Sequence, residues 1–233
     1  SKGPLIHNAC FQYYQKNAVY LAFETKNIKS AVNAMKTVDI KGASITIPHK
    51  SSILDHLDSI DPGAQAIGAV NTIVTNDGRL IGYNTDWQAA IQPLIPFGIQ
   101  GKKVCIIGAG GAAQAVAYGI NKEKASFTIL NRTSETGQLL ALKYGGQFID
   151  LRDDKEIDNL DIDILINTTP VGMTPKTDAI PFPLRYLNPD MIVMDIIYNP
   201  LRTTLLTRAE KIGCKTINGL SMFFYQAAAQ FKL

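Results

Sequence analysis

The chain has 233 residues, of which 46% are hydrophobic and 18% are charged, a balance typical of a compact folded protein rather than a disordered one. The formal net charge is only +3 and no run of Lys and Arg occurs, so we expect no nucleic-acid partner. No apolar run has the composition of a membrane span and no signal-peptide pattern occurs, so we expect no membrane partner. The three cysteines share no C-x-x-C spacing, which indicates reduced thiols and a cytoplasmic location.

Two segments near the start of the chain predict buried strands. Residues 18–23 (AVYLAF) and 43–47 (ASITI) are almost continuously apolar, and the residues between them predict a helix. Lys50 follows the second segment, which Pro48 ends. A lysine there is either a solvated residue or a group at the carboxyl end of a strand, where α/β sheets bind their ligands. In the second case, a lysine beside a carboxylate can donate a proton to a reacting oxygen.

A β-hairpin is predicted next. Residues 76–78 (NDG) lie between two strand-like segments, NTIVT and RLIGY, and we interpret them as a three-residue loop. Pairing about this loop places Asn71 opposite Asn84, with Asp86 just beyond the same edge. Three polar side chains are therefore expected together, although Asp86 alone is equally typical of a helix N-cap.

The rest of the chain predicts a doubly wound parallel sheet. A helical connector broken by Pro93 and Pro96 comes first, and short apolar runs then alternate with helix-like segments. Nearly continuous apolar runs are typical of strands covered on both faces, and their spacing is that of βαβ units. The six runs are residues 104–108, 127–130, 147–150, 163–167, 191–196 and 215–218. After Gly219, the sequence SMFFYQAAAQF predicts a helix that returns to the first part of the chain.

A glycine-rich segment at residues 108–113 (GAGGAA) directly follows the first of these strands and opens a helix. Glycines in this context allow a tight turn and a close approach of backbone N–H groups to a pyrophosphate, which the helix N-terminus also attracts. The segment therefore predicts a dinucleotide-binding loop, with a plain tight turn as the alternative.

The end of the second strand of this sheet carries Asn131-Arg132-Thr133 instead of an acidic residue. An acidic residue at this place accepts hydrogen bonds from the 2′-hydroxyl of an adenosine ribose. Arg132 can only donate hydrogen bonds, and its guanidinium suits a phosphate bidentately. The segment therefore favours NADP over NAD, with a solvated surface arginine as the alternative.

A polar loop and the histidines complete the sequence patterns. The segment INTTPVGM, residues 166–173, ends a strand with a polar loop that is either a plain turn or a loop beside a nicotinamide. His7, His49 and His56 have no metal-ligand spacing, so we expect structural or surface histidines and no metal site.

Nine segments in order along nearly the whole chain resemble the shikimate dehydrogenase family. The resemblance implies an α/β fold with two domains. An N-terminal α/β substrate domain would span residues 1–87 plus 219–233, and a doubly wound Rossmann-type NADP-binding domain residues 88–218. It also implies an enzyme that interconverts 3-dehydroshikimate and shikimate with NADP, a step of aromatic amino-acid biosynthesis. The expected partner is this small-molecule substrate, and the expected assembly is a monomer or homodimer. The segments are SKGPLIHN, GASITIPHK, AIGAVNT, GYNTDW, GAGGAAQAV, NRT, INTTPVGM, DIIYNP and NGLSMFFYQAA.

The resemblance also implies roles for single residues. Lys50 and Asp86 match the catalytic pair of the family. The substrate-binding positions are Ser1, Gly3, Thr46, Asn71, Tyr198 and Gln226. The cofactor-binding positions are Gly108, Ala109, Gly110, Gly111, Ala112, Asn131, Arg132, Thr133, Thr168 and Gly219.

Departures from the family pattern keep alternatives open. Gly3 stands where the family usually has a serine for the substrate carboxylate, so a quinate/shikimate dehydrogenase remains an alternative. The sequence opens inside the first motif, which predicts a trimmed chain or part of a longer polypeptide, with lower activity. A non-catalytic regulatory relative on the same fold is a further alternative. The combined IPHK and NTD motifs argue against a methylenetetrahydrofolate dehydrogenase.

Overall fold

The computed structural model describes residues 2–46 and 48–233. Ser1, a predicted substrate-binding residue, and Ile47, the end of the second predicted strand, lie outside the described residues. The chain divides into two compact units, a first unit of Ser1–Thr85 with Gln226–Leu233 and a second unit of Asp86–Tyr225. This division falls inside the last helix rather than at Gly219. The assignment of substrate and cofactor to separate domains remains a prediction.

The first unit contains a four-stranded sheet with the strand order β1-β3-β4-β2. β1 and β4 both pair with β3 antiparallel, whereas β2 pairs with β4 in parallel. The helix predicted between the first two segments is confirmed as α2. The elements are α1 (Gly3–Tyr13), α2 (Ile28–Thr37), β1 (Gly42–Ser44), a 3₁₀ helix (Leu54–His56), β2 (Ser59–Ile60), α3 (Pro62–Ile67), β3 (Thr72–Asn76) and β4 (Arg79–Tyr83).

The strand predicted at residues 18–23 is wrong. The segment joins no strand among the described residues, and Val19 and Phe23 are 68% and 78% exposed. The Asn8 side chain takes the place of a partner strand: its amide donates to the Tyr20 carbonyl at 3.0 Å and its oxygen accepts from the Tyr20 N–H at 2.7 Å. The Tyr20 ring also stacks on His7, with centroids 4.5 Å apart. Contacts with α1, rather than a sheet, therefore hold this apolar segment.

The predicted hairpin is confirmed, with a shorter loop. Asn76 pairs with Arg79, so only Asp77 and Gly78 form the turn, and their φ angles of +48° and +75° are those of a type I′ turn. The predicted pairing of Asn71 with Asn84 continues the observed register, and the Asn71 N–H donates to the Tyr83 carbonyl at 3.0 Å.

The second unit is a six-stranded, entirely parallel sheet with the order β10-β9-β8-β5-β6-β7. All six strands predicted from the apolar runs are confirmed, and so is the helix break near Pro93 and Pro96. The elements are α4 (Asp86–Ile91), a 3₁₀ helix (Gln92–Phe97), β5 (Lys103–Ile107), α5 (Gly111–Lys122), β6 (Ser126–Asn131), α6 (Ser134–Tyr144), β7 (Gln147–Asp150), α7 (Asp154–Asp158), β8 (Ile164–Asn167), a 3₁₀ helix (Leu184–Tyr186), β9 (Ile192–Asp195), α8 (Thr204–Ile212) and β10 (Lys215–Ile217). The last helix, α9 (Gly219–Lys232), begins in this unit, and its residues from Gln226 onward belong to the first.

Both faces of the parallel sheet are buried. Alternate residues of β5 face different cores: Ile106 packs into a cluster with α5, whereas Cys105 and Ile107 pack into a cluster with α8. Burying one such aliphatic side chain contributes about 1.5–3 kcal/mol. This two-sided burial explains why the strands are continuously apolar. Within the described ranges, no helix is both long and apolar enough to cross a membrane.

The hairpin turn gives a test of the fold. Alanine at Gly78 meets no atom within 4 Å but must keep a φ near +75°. We expect Gly78→Ala to lower the free energy of unfolding by about 1–2 kcal/mol, the cost of left-handed backbone, measured by urea denaturation. Asp77→Asn is the matched control and should be neutral, because asparagine tolerates positive φ. Equal stability of Gly78→Ala and the wild type would contradict the assigned turn.

Candidate active site

The strand order of the second unit reverses at β5, and a crevice forms at the carboxyl end of such a strand. Gly108 begins the turn there, with a φ of +108°, and a Cβ on it would lie 2.8 Å from the Thr168 Oγ1. Thr168 in turn donates through its hydroxyl to the Ile107 carbonyl at 2.6 Å. A side chain at Gly108 would therefore push the loop after β8 away from β5.

Gly110 and Gly111 differ from Gly108, because no atom of the described chain, apart from their immediate neighbours in sequence and the nearby helix backbone, lies within 4 Å of the Cβ that either would carry. They stand at the N-terminus of α5, with Gly110 as the N-cap. Ala109 and Ala112 flank them with small side chains. The open space in front of unsatisfied helix N–H groups fits a pyrophosphate.

The loop after β6 presents Arg132 to solvent. Asn131 orders this loop, since its amide nitrogen donates to the Thr133 carbonyl at 2.9 Å and to the Thr136 Oγ1 at 3.0 Å. The amide of Asn131, a predicted cofactor-binding residue, thus donates its hydrogen bonds within the loop. Arg132 has no hydrogen bond or ion pair within the described part of the chain, so its guanidinium is available to an external anion.

An acidic residue lies beside this loop and was not predicted. Asp150 of β7 pairs in register with Asn131. Arg152 donates two hydrogen bonds to the Asp150 carboxylate, from Nε at 2.9 Å and from Nη2 at 2.6 Å. The hydrogen bonds from Arg152 lower the pKa of Asp150 to about 2. Because Arg152 neutralises Asp150, the carboxylate opposes an anion at Arg132 less than its charge suggests.

The first unit gathers buried amides and hydroxyls at the end of its hairpin. Asn71 Oδ1 accepts from the Thr85 N–H and from the Thr72 hydroxyl, both at 2.8 Å, and its Nδ2 donates to the Thr85 hydroxyl at 3.0 Å. Asn84 Nδ2 donates to the Ala69 carbonyl at 2.9 Å. Asn71 and Asn84 are thus both buried at this edge, as their opposed positions in the hairpin predict.

Gln230 of α9 joins this cluster and was missed from the sequence. Its Nε2 donates to the Asn71 carbonyl at 3.1 Å and to the Thr72 hydroxyl at 2.8 Å, and its Oε1 accepts from the Ser44 hydroxyl at 3.0 Å. The signal was available, because Gln230 lies four residues after Gln226 and hence on the same helix face.

The remaining predicted positions lie on several elements. Thr46 and Lys50 belong to the turn after β1, where the Thr46 carbonyl accepts from the His49 N–H at 2.9 Å and the Lys50 carbonyl from the Val70 N–H at 2.8 Å. Gly3 is the first residue of α1, and Asp86 is the first residue of α4. In the first unit, Lys50 is thus tied by its backbone to the residue before Asn71.

In the second unit, Tyr198 follows β9 and its ring stacks on Phe223 of α9 at a centroid distance of 5.1 Å. Gly219 starts α9, and a Cβ there would lie 2.1 Å from the Ile196 carbonyl oxygen. Only a glycine lets α9 begin so close to this backbone.

A buried carboxylate also went unnoticed in the sequence. Asp195, Asn167 and Thr203 are fully buried and joined by hydrogen bonds. Burial raises the pKa of Asp195, against the effect of its three hydrogen bonds. An aspartate inside the apolar run of residues 191–196 was the overlooked signal.

Metal ligands do not cluster within the described residues, where no group of three or more His, Cys, Asp or Glu side chains could hold an ion. His7 is buried against Tyr20, and burial lowers its pKa despite a hydrogen bond with Gln230.

The crevice at β5, the open glycine loop and the available arginine after β6 define an α/β protein of the dinucleotide-binding class. Comparison with known proteins narrows this class. Two family models match, the shikimate dehydrogenase substrate binding domain over residues 1–73 and shikimate / quinate 5-dehydrogenase over residues 92–173.

Individual relatives match over the whole chain. The shikimate dehydrogenase (NADP(+)) of Methanocaldococcus jannaschii is 44% identical, over 100% of this chain and 86% of the relative. A crystal structure of a shikimate dehydrogenase in complex with NADP+ is 43% identical with a TM-score of 0.92, over 100% of this chain and 84% of that one. The shikimate 5-dehydrogenase of Listeria monocytogenes, in complex with shikimate and NAD, is 34% identical with a TM-score of 0.94, over 100% and 86%. The chain belongs to the shikimate dehydrogenase family.

The glycine loop gives a test of cofactor binding. Gly110 has a φ of −83° and open space around its Cβ position, so alanine should fold there without strain. We expect Gly110→Ala to leave the melting temperature of the ligand-free protein unchanged and to weaken NADP binding by about tenfold or more, since the methyl group occupies space for the pyrophosphate. Calorimetric titration measures the affinity. Unchanged affinity would place the pyrophosphate elsewhere.

Proposed function

We propose that this chain catalyses the reversible, NADP-dependent reduction of 3-dehydroshikimate to shikimate, a step of aromatic amino-acid and chorismate biosynthesis. The observation that carries the proposal is similarity along the entire chain to a relative named shikimate dehydrogenase (NADP(+)). The test is NADPH formation with shikimate, run beside quinate and beside NAD. No turnover in any combination, with NADP still bound, would contradict the proposal.

Division of labour between the two parts of the chain belongs to the same proposal. Residues 88–218 form the NADP-binding domain, and residues 1–87 with 219–233 form the substrate domain. Gly108 to Ala112 hold the pyrophosphate, while Asn131, Arg132 and Thr133 form the 2′-phosphate site. Thr168 and Gly219 line the nicotinamide side. The exposed guanidinium of Arg132, which has no partner among the described residues, supports this assignment.

The substrate side is proposed to consist of neutral polar groups. A polyhydroxylated ring suits a site of hydrogen-bonding side chains, because such a site rejects analogues that leave a buried polar group unpaired. The buried Asn71, which Thr72 and Thr85 hold rigid, supports this assignment. The proposed substrate-binding residues are Ser1, Gly3, Thr46, Asn71, Tyr198 and Gln226.

Lys50 and Asp86 are the proposed catalytic residues. Bound NADPH supplies a hydride for the ring carbonyl carbon, and the carbonyl oxygen must then gain a proton. Lys50 donates this proton as an ammonium in the reduction and accepts it from the hydroxyl in the oxidation. Asp86 provides the carboxylate that, as in the family pattern, accompanies the lysine.

A second candidate is the oxidation of quinate. Gly3 favours it, since the missing serine hydroxyl changes the expected contact with the substrate carboxylate. The comparison of shikimate with quinate distinguishes the two candidates by the ratio of kcat/KM.

The location and assembly are proposed as cytoplasmic and as a monomer or homodimer. All three cysteines are free thiols, and Cys105 and Cys214 are buried, which supports a reducing compartment. Light scattering of the purified chain measures the assembly.

Arg132 is expected to select NADP. Arg132→Ala should weaken NADP by about 10- to 150-fold, the value of a charge-assisted hydrogen bond, and should leave NAD affinity nearly unchanged. Calorimetry with both cofactors measures the difference. Arg208→Ala removes an exposed arginine of α8 as a control and should change neither affinity. Equal losses for NADP and NAD would show that Arg132 does not contact the 2′-phosphate.

Lys50 is expected to carry the proton transfer. Lys50→Ala should lower kcat by about 10²- to 10⁴-fold, the usual contribution of a general acid–base, and should leave NADP affinity unchanged. Steady-state kinetics and calorimetry measure the two quantities. Lys41→Ala, at an exposed lysine of the same unit, is the control and should keep kcat. Persistent turnover of Lys50→Ala would assign the proton to another group.

A further inference from the structure

We propose that Asp195 is a positioning residue, whose buried carboxylate fixes the loop after β8 and the segment before Tyr198 and thereby sets the geometry of hydride transfer. The inference rests on the proposed function, because it assumes that the loop after β8 lines the nicotinamide side.

The Asp195 carboxylate joins three segments of the second unit. Its Oδ1 accepts from Asn167 Nδ2 and from the Ile197 N–H, each at 3.1 Å, and its Oδ2 accepts from the Thr203 hydroxyl at 2.8 Å. Asn167 ends β8, Ile197 follows β9, and Thr203 is the N-cap of α8. One side chain therefore holds the ends of two neighbouring strands and the start of a helix.

Asn167 passes this constraint to the loop after β8. Its Oδ1 accepts from the Thr169 N–H at 3.0 Å and from the Thr169 hydroxyl at 2.7 Å, while its Nδ2 also donates to the Val171 carbonyl at 3.3 Å. Val171 in turn donates its N–H to the Thr169 hydroxyl at 3.2 Å. The loop that begins at Thr168 is thus folded around the Asn167 amide.

A carboxylate at residue 195 offers the Asn167 amide an acceptor in the orientation that the loop also requires. The NH₂ end of Asn167 faces Asp195 and the Val171 carbonyl, while its oxygen faces the Thr169 N–H and hydroxyl. An asparagine at residue 195 would replace one of the two acceptor oxygens with an NH₂ group, and its neutral amide would accept more weakly than a carboxylate from Asn167 and Ile197. Burial of a charge is costly, and three donors offset that cost here.

The same carboxylate also fixes the backbone that leads to Tyr198. Ile197 donates its N–H to Asp195, and its carbonyl accepts from the Gly219 N–H at 3.1 Å, at the start of α9. Tyr198 comes next and stacks on Phe223 of α9. Asp195 therefore connects Thr168, Tyr198 and Gly219, three positions proposed to surround the reacting groups.

The test compares Asp195→Asn with the wild type. We expect kcat to fall by about 10- to 100-fold, as for a small misplacement of reacting atoms, with NADP affinity nearly unchanged. The primary isotope effect with NADPH deuterated at the transferred position should rise, because hydride transfer becomes slower than product release. An unchanged kcat and isotope effect in a folded Asp195→Asn would overturn the inference.

A readout without cofactor is hydrogen exchange of the ligand-free protein. The amides of Thr169 and Val171 should exchange about tenfold faster in Asp195→Asn, since the weaker contact at residue 195 holds Asn167, and with it the loop, less firmly. Ile157→Ala is the matched control, because Ile157 is buried in the same unit and its backbone hydrogen bonds, with Asp153 and Leu160, do not involve this loop. It should lower the melting temperature and keep kcat. Equal changes of the exchange rates and of kcat in both variants would show that Asp195 only stabilises the fold and would overturn the inference.

Thr203 supplies a second pair of variants. Thr203→Val removes the donor to Oδ2 and should reproduce the fall in kcat, whereas Thr203→Ser keeps the hydroxyl and should restore it. This pair decides the matter if Asp195→Asn does not fold; equal kcat values for Val and Ser would overturn the inference. A wild-type chain without turnover would instead contradict the proposed function itself.

Discussion

The close approach of two strand ends at Gly108 is the constraint on which the second unit depends. The loop after β8 leaves no room for a Cβ on Gly108, because that atom would lie 2.8 Å from the Thr168 Oγ1. Because no side chain separates them, β5 and β8 can end at the same level, and the glycine loop can lead directly into α5. Thr168 is anchored at this contact, since its hydroxyl donates to the Ile107 carbonyl at 2.6 Å. The missing side chain at Gly108 thus lets the two loops of the proposed cofactor crevice approach each other.

In the first unit, hydrogen bonds between neutral polar groups fix the end of the hairpin. The I′ turn at Asp77-Gly78 sets the register of the hairpin, and the register brings Asn71 opposite Asn84. Both amides are buried, so each must find partners within the protein. The Asn71 amide finds them in Thr72 and Thr85, while Gln230 donates to the Asn71 backbone carbonyl, so these buried groups are paired without a charge. Rigid amides of this kind can distinguish the hydroxyl pattern of a ring.

Periodicity predicted the second unit well because its central strands β5, β8 and β9 are covered on both faces, so each is a nearly continuous apolar run whichever strand it pairs with. Residues 18–23 show the limit of that argument. Their composition suits a strand, but a strand needs a partner, and Asn8 supplies the hydrogen bonds of Tyr20 instead. Asn71, Arg132 and the glycine loop were proposed from local patterns, and their roles stay predictions. Gln230 and Asp195 were missed because their partners lie far away in sequence, Asn71 at 159 residues and Asn167 at 28.

The two buried polar centres differ in a way that fits their proposed tasks. Neutral amides that face a substrate can donate and accept, which suits hydroxyl groups that do the same. Around Asp195, the partner is the protein's own backbone and loop, and a carboxylate supplies acceptors for the three donors that meet it there. A charge buried at this place costs free energy that apolar packing would not. The cost is consistent with selection for a fixed loop rather than for stability alone, since the surrounding core is already closely packed by apolar side chains such as Leu165 and Val193.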